Sequence, residues 1–115
     1  MTACSSGTNA NVNAFEYIKE GKAEAIIAGG TEASVNEIGI SGFAAITALS
    51  KTEDPMKASI PFDKDRNGFV MGEGSGTLVL ESYDHAKARF SKILAEIVGY
   101  GTTSDAYHMT APDPE

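Results

Sequence analysis

The chain is small and acidic: it has 115 residues, with 9 Lys and Arg against 16 Asp and Glu, for a formal net charge of −7. This charge disfavours nucleic acid as a partner. Hydrophobic residues make up 42% of the chain and charged residues 22%, a balance that allows a packed core and differs from that of a disordered protein. The counts indicate a single packing unit.

The sequence shows no pattern typical of a membrane-spanning helix, a secretory signal or an internal disulfide. The apolar runs are short, such as residues 25–28, and fall well below the ~20 residues that a spanning helix needs. The stretch from Met1 to Phe15 has neither a basic nor an apolar segment, which is unlike a secretory signal. A single cysteine, Cys4, excludes an internal disulfide and argues against a zinc site built from Cys and His ligands. We therefore expect a cytoplasmic protein without a metal.

The first predicted element is an amphipathic helix from Ser5 to Glu20. Ser5 or Ser6 is suited to cap its first turn, and Gly21 is suited to end it. The small Gly7 leaves room for another backbone to approach the helix. The inner face carries Gly7, Asn11, Ala14, Phe15 and Ile18.

A buried strand is predicted at 24–28, flowing into a tight turn at Gly29-Gly30. A helix followed by a strand implies an α/β unit. Residues 34–49 mix apolar side chains with glycines and predict a loop that leads into a short helix at about 41–49. Residues 51–67 are polar and contain two prolines, which predicts a long surface connection.

A second strand is predicted at 77–81, after the glycine-rich residues 72–76. These glycines lack both the spacing of a phosphate-binding loop and a following helix, so they indicate close backbone packing. Ser82 then supplies an N-cap and Asp84 a first-turn acid for a helix through Phe90.

The last predicted element is a strand at 93–98, where apolar residues partly alternate around Glu96. No internal repeat or low-complexity segment occurs in the sequence, and no linker divides it. The predicted elements therefore belong to one α/β unit.

Residues 63–68 resemble the first half of a calcium-binding EF-hand loop, with oxygen-bearing side chains at alternate positions and glycine at the sixth. The twelfth position requires a bidentate Glu but is Gly74, and Glu73 is one residue short. We therefore favour a turn whose Asp and Asn side chains bond their own backbone, and keep calcium binding as an alternative.

Cys4 is the candidate nucleophile, because it lies at the start of the first predicted helix. A thiolate there faces the positive end of the helix dipole and unpaired backbone N–H groups. Residues 5–7 are small, so the sulfur is open to a substrate, and the same N–H groups can stabilise an oxyanion. The other interpretation is a packed, inert thiol, and the chemistry alone leaves both open.

The two histidines are interpreted separately. His85 lies inside the short predicted helix and is interpreted as structural. His108 lies among polar residues at 105–110, where it either lines a site or belongs to a surface loop. The residues alone do not separate these two possibilities.

Four segments, in chain order, carry a closer likeness: TACSSGTNA at 2–10, IAGGTEAS at 27–34, PFDKDRNGFVMGEG at 61–74 and SDAYHMT at 104–110. Together they closely resemble the β-ketoacyl-[acyl-carrier-protein] synthases, and most of all the type II elongating synthases of bacterial fatty acid synthesis. The resemblance covers nearly all of the chain.

The resemblance implies an α/β chain that is part of a thiolase-like, layered α-β-α-β-α fold. In this interpretation residues 1–115 are a fragment, spanning the later part of the N-terminal half and the entry to the C-terminal half. The fold is then incomplete at both ends. A homodimer is expected for the full-length protein.

The resemblance also implies the chemistry of a 3-oxoacyl-[acyl-carrier-protein] synthase in fatty acid biosynthesis. Cys4 takes an acyl group from acyl carrier protein as a thioester, and its backbone N–H belongs to the oxyanion hole. Decarboxylative Claisen condensation with malonyl-carrier protein then elongates the chain. Asp105, His108 and Thr110 match the substrate-binding loop, with Thr110 the best candidate to contact pantetheine. No cofactor is expected beyond the phosphopantetheine that carries the substrates, and no metal.

The sequence departs from the family pattern in several places. The catalytic histidines of the family lie in N-A-H-G-T and G-H motifs, which do not occur here, and neither His85 nor His108 matches them. The 115-residue chain alone is therefore expected to be inactive in condensation, and at most to be acylated. Phe90 stands where the family usually has a helix-ending glycine, and Val12 where glycine is common. A non-catalytic, synthase-like interaction module remains the alternative, although Cys4 disfavours it.

Overall fold

The computed structural model describes residues 2–114. Strands β1 and β2 form a two-stranded antiparallel sheet, and helix α1 packs against β1. The α/β class predicted from the sequence is confirmed. In chain order the elements are a 3-10 turn Ala3–Ser5, α1 Ser6–Lys19, β1 Ala25–Glu32, α2 Glu37–Ala45, α3 Pro55–Ala58, β2 Gly74–Glu81 and α4 Tyr83–Ala88.

Helix α1 confirms the first predicted element and its end. Gly21 has a φ of +71°, a conformation that favours glycine, and its N–H donates to the Ile18 carbonyl at 3.0 Å. The predicted serine cap is wrong. Ser5 stands at the N-cap position, but its hydroxyl donates to the Thr2 carbonyl at 2.7 Å. Ser5 still belongs to the preceding 3-10 turn, so its backbone lacks the extended conformation that a capping residue needs.

Strand β1 runs straight through Gly29 and Gly30, so the tight turn predicted there is wrong. In the sheet Gly29 pairs with Thr77 and Gly30 with Gly76. A Cβ on Gly29 would overlap the Gly76 carbonyl oxygen. Gly29 therefore allows the two strand backbones to approach closely. The close packing predicted for the glycines at 72–76 is not found there, since a Cβ on Gly72, Gly74 or Gly76 would meet nothing within 4 Å.

Helix α1 reaches the sheet through glycines as well. A Cβ on Gly7 would lie 3.4 Å from the Gly30 Cα, and one on Gly30 would lie 3.0 Å from the Gly7 Cα. The predicted close approach of a backbone to Gly7 is confirmed. The start of α1 is therefore held against the middle of β1 with no side chain between them.

Helix α2 is found, but about four residues earlier than predicted at both ends. The Asn36 side chain accepts the Gly39 N–H at 2.9 Å and so starts the helix at Glu37. Thr47 has a φ of +56°, which ends it. The predicted surface connection at 51–67 is confirmed as largely exposed, with the short α3 inside it.

Helix α4 follows β2 directly, and Ser82 caps it as predicted by accepting the His85 N–H at 3.3 Å. The helix ends at Ala88, and Phe90 has a φ of +59°. The strand predicted at 93–98 is wrong, because among the described residues this stretch has no ladder partner. An apolar run becomes a strand only when another backbone takes up its hydrogen bonds.

The hydrophobic core is small, and the buried apolar residues among those described are Ala14, Ala28 and Ala86. The accessible surface is 9676 Å², whereas a compact protein of this mass exposes roughly 6,000 Å². The radius of gyration is 18.7 Å, against about 13 Å for a compact chain of this length. Large apolar side chains such as Ile27 therefore remain open, as expected for an incompletely covered core. No helix within 2–114 has the length and apolar character needed to cross a membrane.

Candidate active site

Cys4 lies in the 3-10 turn directly before α1, and its thiol is exposed. The preceding Ala3 has a φ of +45°, which costs a residue with a side chain about 1–2 kcal/mol. The Ser5 N–H closes the turn by donating to the Thr2 carbonyl at 3.1 Å. This strained turn sets the sulfur at the amino end of a 14-residue helix, beside the N–H groups of its first turn.

An open cleft of about 890 Å³ lies in front of Cys4. One side is the start of α1, the floor is the glycine-rich part of the sheet, and the far side is apolar. The glycines leave the floor with few side chains, although Thr31 and Ser75 of the two strands also line the cleft. The lining includes Ala3, Cys4, Ser6, Gly7, Gly29, Gly30, Phe43, Phe69, Met71, Gly74 and Gly76.

The apolar side of the cleft is built on an aromatic pair. The rings of Phe43 and Phe69 meet edge to face, with centroids 5.0 Å apart and planes at 86°. Met71 lines the cleft beside them. Phe43 is 39% exposed and Phe69 42%, so both still present apolar surface to a ligand. An alkyl chain is the ligand that gains most from such a wall.

Two carboxylates that sequence reasoning did not assign to the site lie at the edge of the cleft and accept hydrogen bonds from the segment after β1. Glu73 accepts the Val35 N–H at 3.0 Å. Glu32 accepts the Ala33 N–H at 3.0 Å and also binds the Ser34 hydroxyl. In the sequence Glu73 stood out only as a misplaced calcium ligand. Its actual role is to tie the segment after β1 to the residues before β2.

The calcium interpretation of the 63–68 loop is not supported. The Asp63 carboxylate accepts the Asp65 N–H at 2.8 Å, as in a turn bonded to its own backbone. The Asn67 side chain faces Ser50 instead of a common centre. Within residues 2–114, no group of three or more His, Cys, Asp or Glu is arranged to hold a metal ion.

Asp105 organises the loop in which the other candidate residues lie. Its carboxylate accepts the N–H groups of Tyr107 and Asp113, each at 3.0 Å. The hydrogen bond from Tyr107, followed by that from Asp113, lowers the pKa of Asp105 below its ordinary value. The loop at 105–113 is therefore closed by its own side chain.

His108 and Thr110 lie in the same exposed loop. The His108 Nδ1 accepts the N–H groups of Thr110 at 3.1 Å and Ala111 at 3.2 Å. The structure thus joins His108 and Thr110 directly, and Asp105 lies in the same loop. Among the described residues that line the cleft at Cys4, none comes from this loop. The substrate-binding role of the three residues stays a prediction.

His85 has the contacts of a structural residue. Its Nδ1 lies 2.9 Å from a Glu81 carboxylate oxygen, and its Nε2 lies 3.8 Å from Glu24. Arg89 also donates two hydrogen bonds to Glu81, at 2.7 and 2.6 Å. Arg89 foremost, and then His85, lowers the pKa of Glu81. The cluster joins the end of β2 to α4, away from Cys4.

Tyr100 fixes the segment after α4 to the first helix. Its ring meets that of Phe15 edge to face, with centroids 6.0 Å apart. The negative charge of Glu16 raises the pKa of Tyr100 above its ordinary value. Because the partners are distant in sequence, no local pattern pointed to this contact.

Comparisons with known proteins place this arrangement in a family. The sequence model described as "Beta-ketoacyl synthase, N-terminal domain" matches residues 1–86. The chain belongs to the β-ketoacyl synthase family. A "3-oxoacyl-[acyl-carrier-protein] synthase 2" of Staphylococcus aureus is 55% identical over 115 residues, which are 100% of this chain and 28% of the relative. One of that name from Synechocystis sp. is 54% identical over 116 aligned residues, with the same two shares.

Solved structures of ketosynthases have the same fold. A type II PKS ketosynthase, solved in complex with its acyl-carrier protein, matches with a TM-score of 0.90 and 44% identity, over 95% of this chain and 27% of that one. A beta-ketoacyl synthase from Burkholderia phymatum matches with a TM-score of 0.88 and 45% identity, over the same shares. The resemblance stated from four sequence segments is confirmed, as is the thiolase-like α/β fold. The chain spans little more than a quarter of the length of these relatives.

Proposed function

We propose that this protein is a 3-oxoacyl-[acyl-carrier-protein] synthase in which Cys4 accepts the acyl group. The observation that supports this most directly is the placement of an exposed thiol at the start of α1, facing a cleft with an apolar far side. The thiol is suited to attack a carbonyl, and the apolar side to receive an alkyl chain.

In the first step the Cys4 thiolate attacks the thioester carbonyl of an acyl-carrier protein. A new C–S bond forms at Cys4, and the bond to the carrier's pantetheine sulfur breaks. That sulfur leaves as a thiolate and takes up a proton. The oxyanion that forms between these events lies near the Cys4 N–H and the first turn of α1, where the helix dipole favours it.

In the second step malonyl-carrier protein loses carbon dioxide, and the resulting carbanion attacks the acyl carbon on Cys4. A C–C bond forms, and the Cys4 thiolate is released. Decarboxylation needs groups that stabilise the carbanion, which in the family are the histidines of the N-A-H-G-T and G-H motifs. We therefore assign acyl acceptance, and not condensation, to the 115-residue chain alone.

Further proposals follow from the family. Acyl carrier protein is the partner and brings the substrates on its phosphopantetheine, so that no other cofactor or metal is needed. Asp105, His108 and Thr110 contact the pantetheine arm, with Thr110 foremost. Residues 1–115 cover the later N-terminal half and the entry to the C-terminal half, and the full-length protein is a cytoplasmic homodimer.

Acyl acceptance is tested by incubating the chain with a long-chain acyl thioester and mapping the adduct by mass spectrometry. We expect a single thioester adduct on Cys4 that hydroxylamine removes. Cys4→Ala should abolish it, and Ser59→Ala, an exposed change outside the candidate site, should not. Labelling at other residues, or equal labelling of Cys4→Ala, would contradict the assignment. A folded chain that takes no acyl group would favour the non-catalytic module.

The limit on condensation is tested separately. When a malonyl thioester is added to the acylated chain, we expect no 3-oxoacyl product by mass spectrometry. Formation of that product by the purified chain alone would show that the missing histidine motifs are not required.

A further inference from the structure

The apolar side of the cleft is held by two segments that we call the clamp, residues 48–52 and 67–69. Leu49 and Phe69 pair as neighbours in a parallel bridge. The Phe69 N–H donates to the Ala48 carbonyl at 3.0 Å, and the Ser50 N–H donates to the Phe69 carbonyl at 2.9 Å. The backbone of Phe69 is therefore bonded on both sides to the segment that follows α2.

Asn67 joins the same two segments through its side chain. Its Oδ1 accepts the Ser50 hydroxyl at 2.9 Å and the Lys51 N–H at 3.3 Å. Its Nδ2 donates to the Thr52 hydroxyl oxygen at 3.0 Å. Both ends of one amide are thus used across the clamp, which fixes the position and the orientation of residue 67.

Gly68 brings the two segments of the clamp into direct backbone contact. It has a φ of +145°, and a Cβ there would overlap the backbone of Leu49. Asn67 and Phe69 are the immediate neighbours of this glycine. Because Gly68 lies against the Leu49 backbone and joins the two, a shift of Asn67 moves Phe69 as well.

We propose that Asn67 is a positioning residue that sets Phe69 against Phe43 and thereby sets how well the cleft receives an alkyl chain joined to Cys4. The inference rests on the proposed function, because it concerns the acyl chain of that reaction. The ring contact of 5.0 Å closes the apolar wall. Each methylene of the alkyl chain that is no longer buried weakens binding of that chain about fourfold. A small displacement of the apolar side of the cleft is therefore measurable.

The test compares two thiol reagents on Cys4 of the 115-residue chain, iodoacetamide and N-decyl iodoacetamide, the latter below its micelle concentration. Adduct formation is followed by mass spectrometry, and the ratio of the decyl rate to the small-reagent rate is the readout. We expect Asn67→Ala to lower this ratio about fivefold, equivalent to one or two methylenes, and to leave the iodoacetamide rate unchanged.

Two further variants separate positioning from a general structural effect. Asn67→Asp should keep the ratio, because its carboxylate still accepts the two clamp hydrogen bonds and the Thr52 hydroxyl can donate to it. Lys64→Ala, an exposed change in the same connection, should keep it too. An unchanged ratio in Asn67→Ala, or an equal fall in Lys64→Ala, would overturn the inference.

The remaining outcomes are also decisive. If circular dichroism shows that Asn67→Ala does not fold, Thr52→Val replaces it and should lower the ratio about twofold, roughly half a methylene. An unchanged ratio in Thr52→Val overturns the inference.

If the unsubstituted chain reacts with no preference for the decyl reagent, the inference is overturned as well. A decyl preference that depends on Asn67, in a chain that acyl thioesters fail to acylate, supports the positioning role and contradicts the proposed function.

Discussion

Two regions of this chain are ordered in different ways. In the packed half, made of α1, β1, β2 and α4, backbones meet across the sheet and through glycines that exclude side chains. In the terminal segment, residues 91–114, the loop at 105–113 is held by local hydrogen bonds to side chains such as Asp105 and His108. Order in the packed half is therefore cooperative, whereas the terminal loop is closed by its own residues.

The comparison separates the two parts of the candidate site. Cys4 begins the packed half, so its position depends on the whole strand pair. The predicted substrate loop belongs to the terminal segment and is fixed to α1 through the contact of Tyr100 with Phe15. Substitutions in the packed half should therefore change the stability of the whole fold, whereas substitutions in the terminal segment should change only its local structure.

The largest effect should come from Gly29→Ala, which places a methyl group against the Gly76 carbonyl. We expect the free energy of unfolding to fall by about 3 kcal/mol or more, since the clash involves backbone that cannot yield. Urea unfolding followed by circular dichroism measures this change. Gly74→Ala, whose Cβ would meet nothing within 4 Å, is the matched control. Equal stability of the two variants would contradict a close-packed strand pair.

The next effect concerns Glu81, whose pKa is lowered from its ordinary 4.5, first by Arg89. A carboxylate with a lowered pKa in the folded state adds stability above its unfolded pKa and loses it as the pH falls through the folded value. The melting temperature should thus drop on acidification below about pH 4.5. Glu81→Gln should melt a few degrees lower at pH 7 and show a shallower acid dependence. Identical pH profiles for the two proteins would refute this.

A smaller, stabilising effect is expected at Phe90, where the packed half ends. Its φ of +59° strains a residue that has a Cβ, and its side chain is 95% exposed, so little contact is lost on removal. Phe90→Gly should raise the free energy of unfolding by about 1 kcal/mol, measured by thermal melting. Phe90→Ala keeps the Cβ and should give no such gain. A gain in both variants would point to the exposed ring instead of the backbone.

The smallest effect should follow Asp105→Ala in the terminal segment. The N–H groups of Tyr107 and Asp113 lose their common acceptor, so their hydrogen exchange should become faster. The melting temperature should not change, because the packed half does not depend on this loop. A clear fall in melting temperature would show that the two regions unfold together.

The same contrast explains what the sequence predicted. The end of α1 and the start of α4 were predicted because Gly21 and Ser82 act within a few residues, whereas α4 ends at Ala88 and not at Phe90 as predicted. The turn predicted at Gly29-Gly30 was wrong because Gly29 faces strand β2 and Gly30 faces helix α1, both distant in sequence. The strand at 93–98 was wrong because its apolar pattern says nothing about the neighbour that a ladder requires.

The candidate site divides in the same way. Its thiol was predicted from Cys4 at a helix start, a local signal. The aromatic wall was not, because Phe43 and Phe69 meet only through the pairing of Leu49 with Phe69. The clamp amide of Asn67 was hidden for a similar reason: in the sequence it resembled a metal ligand, and its partners lie in another segment.

The contact of Gly7 with Gly30 restricts how such a cleft can diversify. At that contact there is no side chain to enlarge or shorten, and the spacing between the start of α1 and the sheet is the contact distance of two backbones. Variation that changes the size of the accepted substrate must come from lining positions that carry side chains, such as Phe43 and Met71. The distance at the glycine contact is thus fixed by the two backbones, and selection for new substrates acts on the side chains around it.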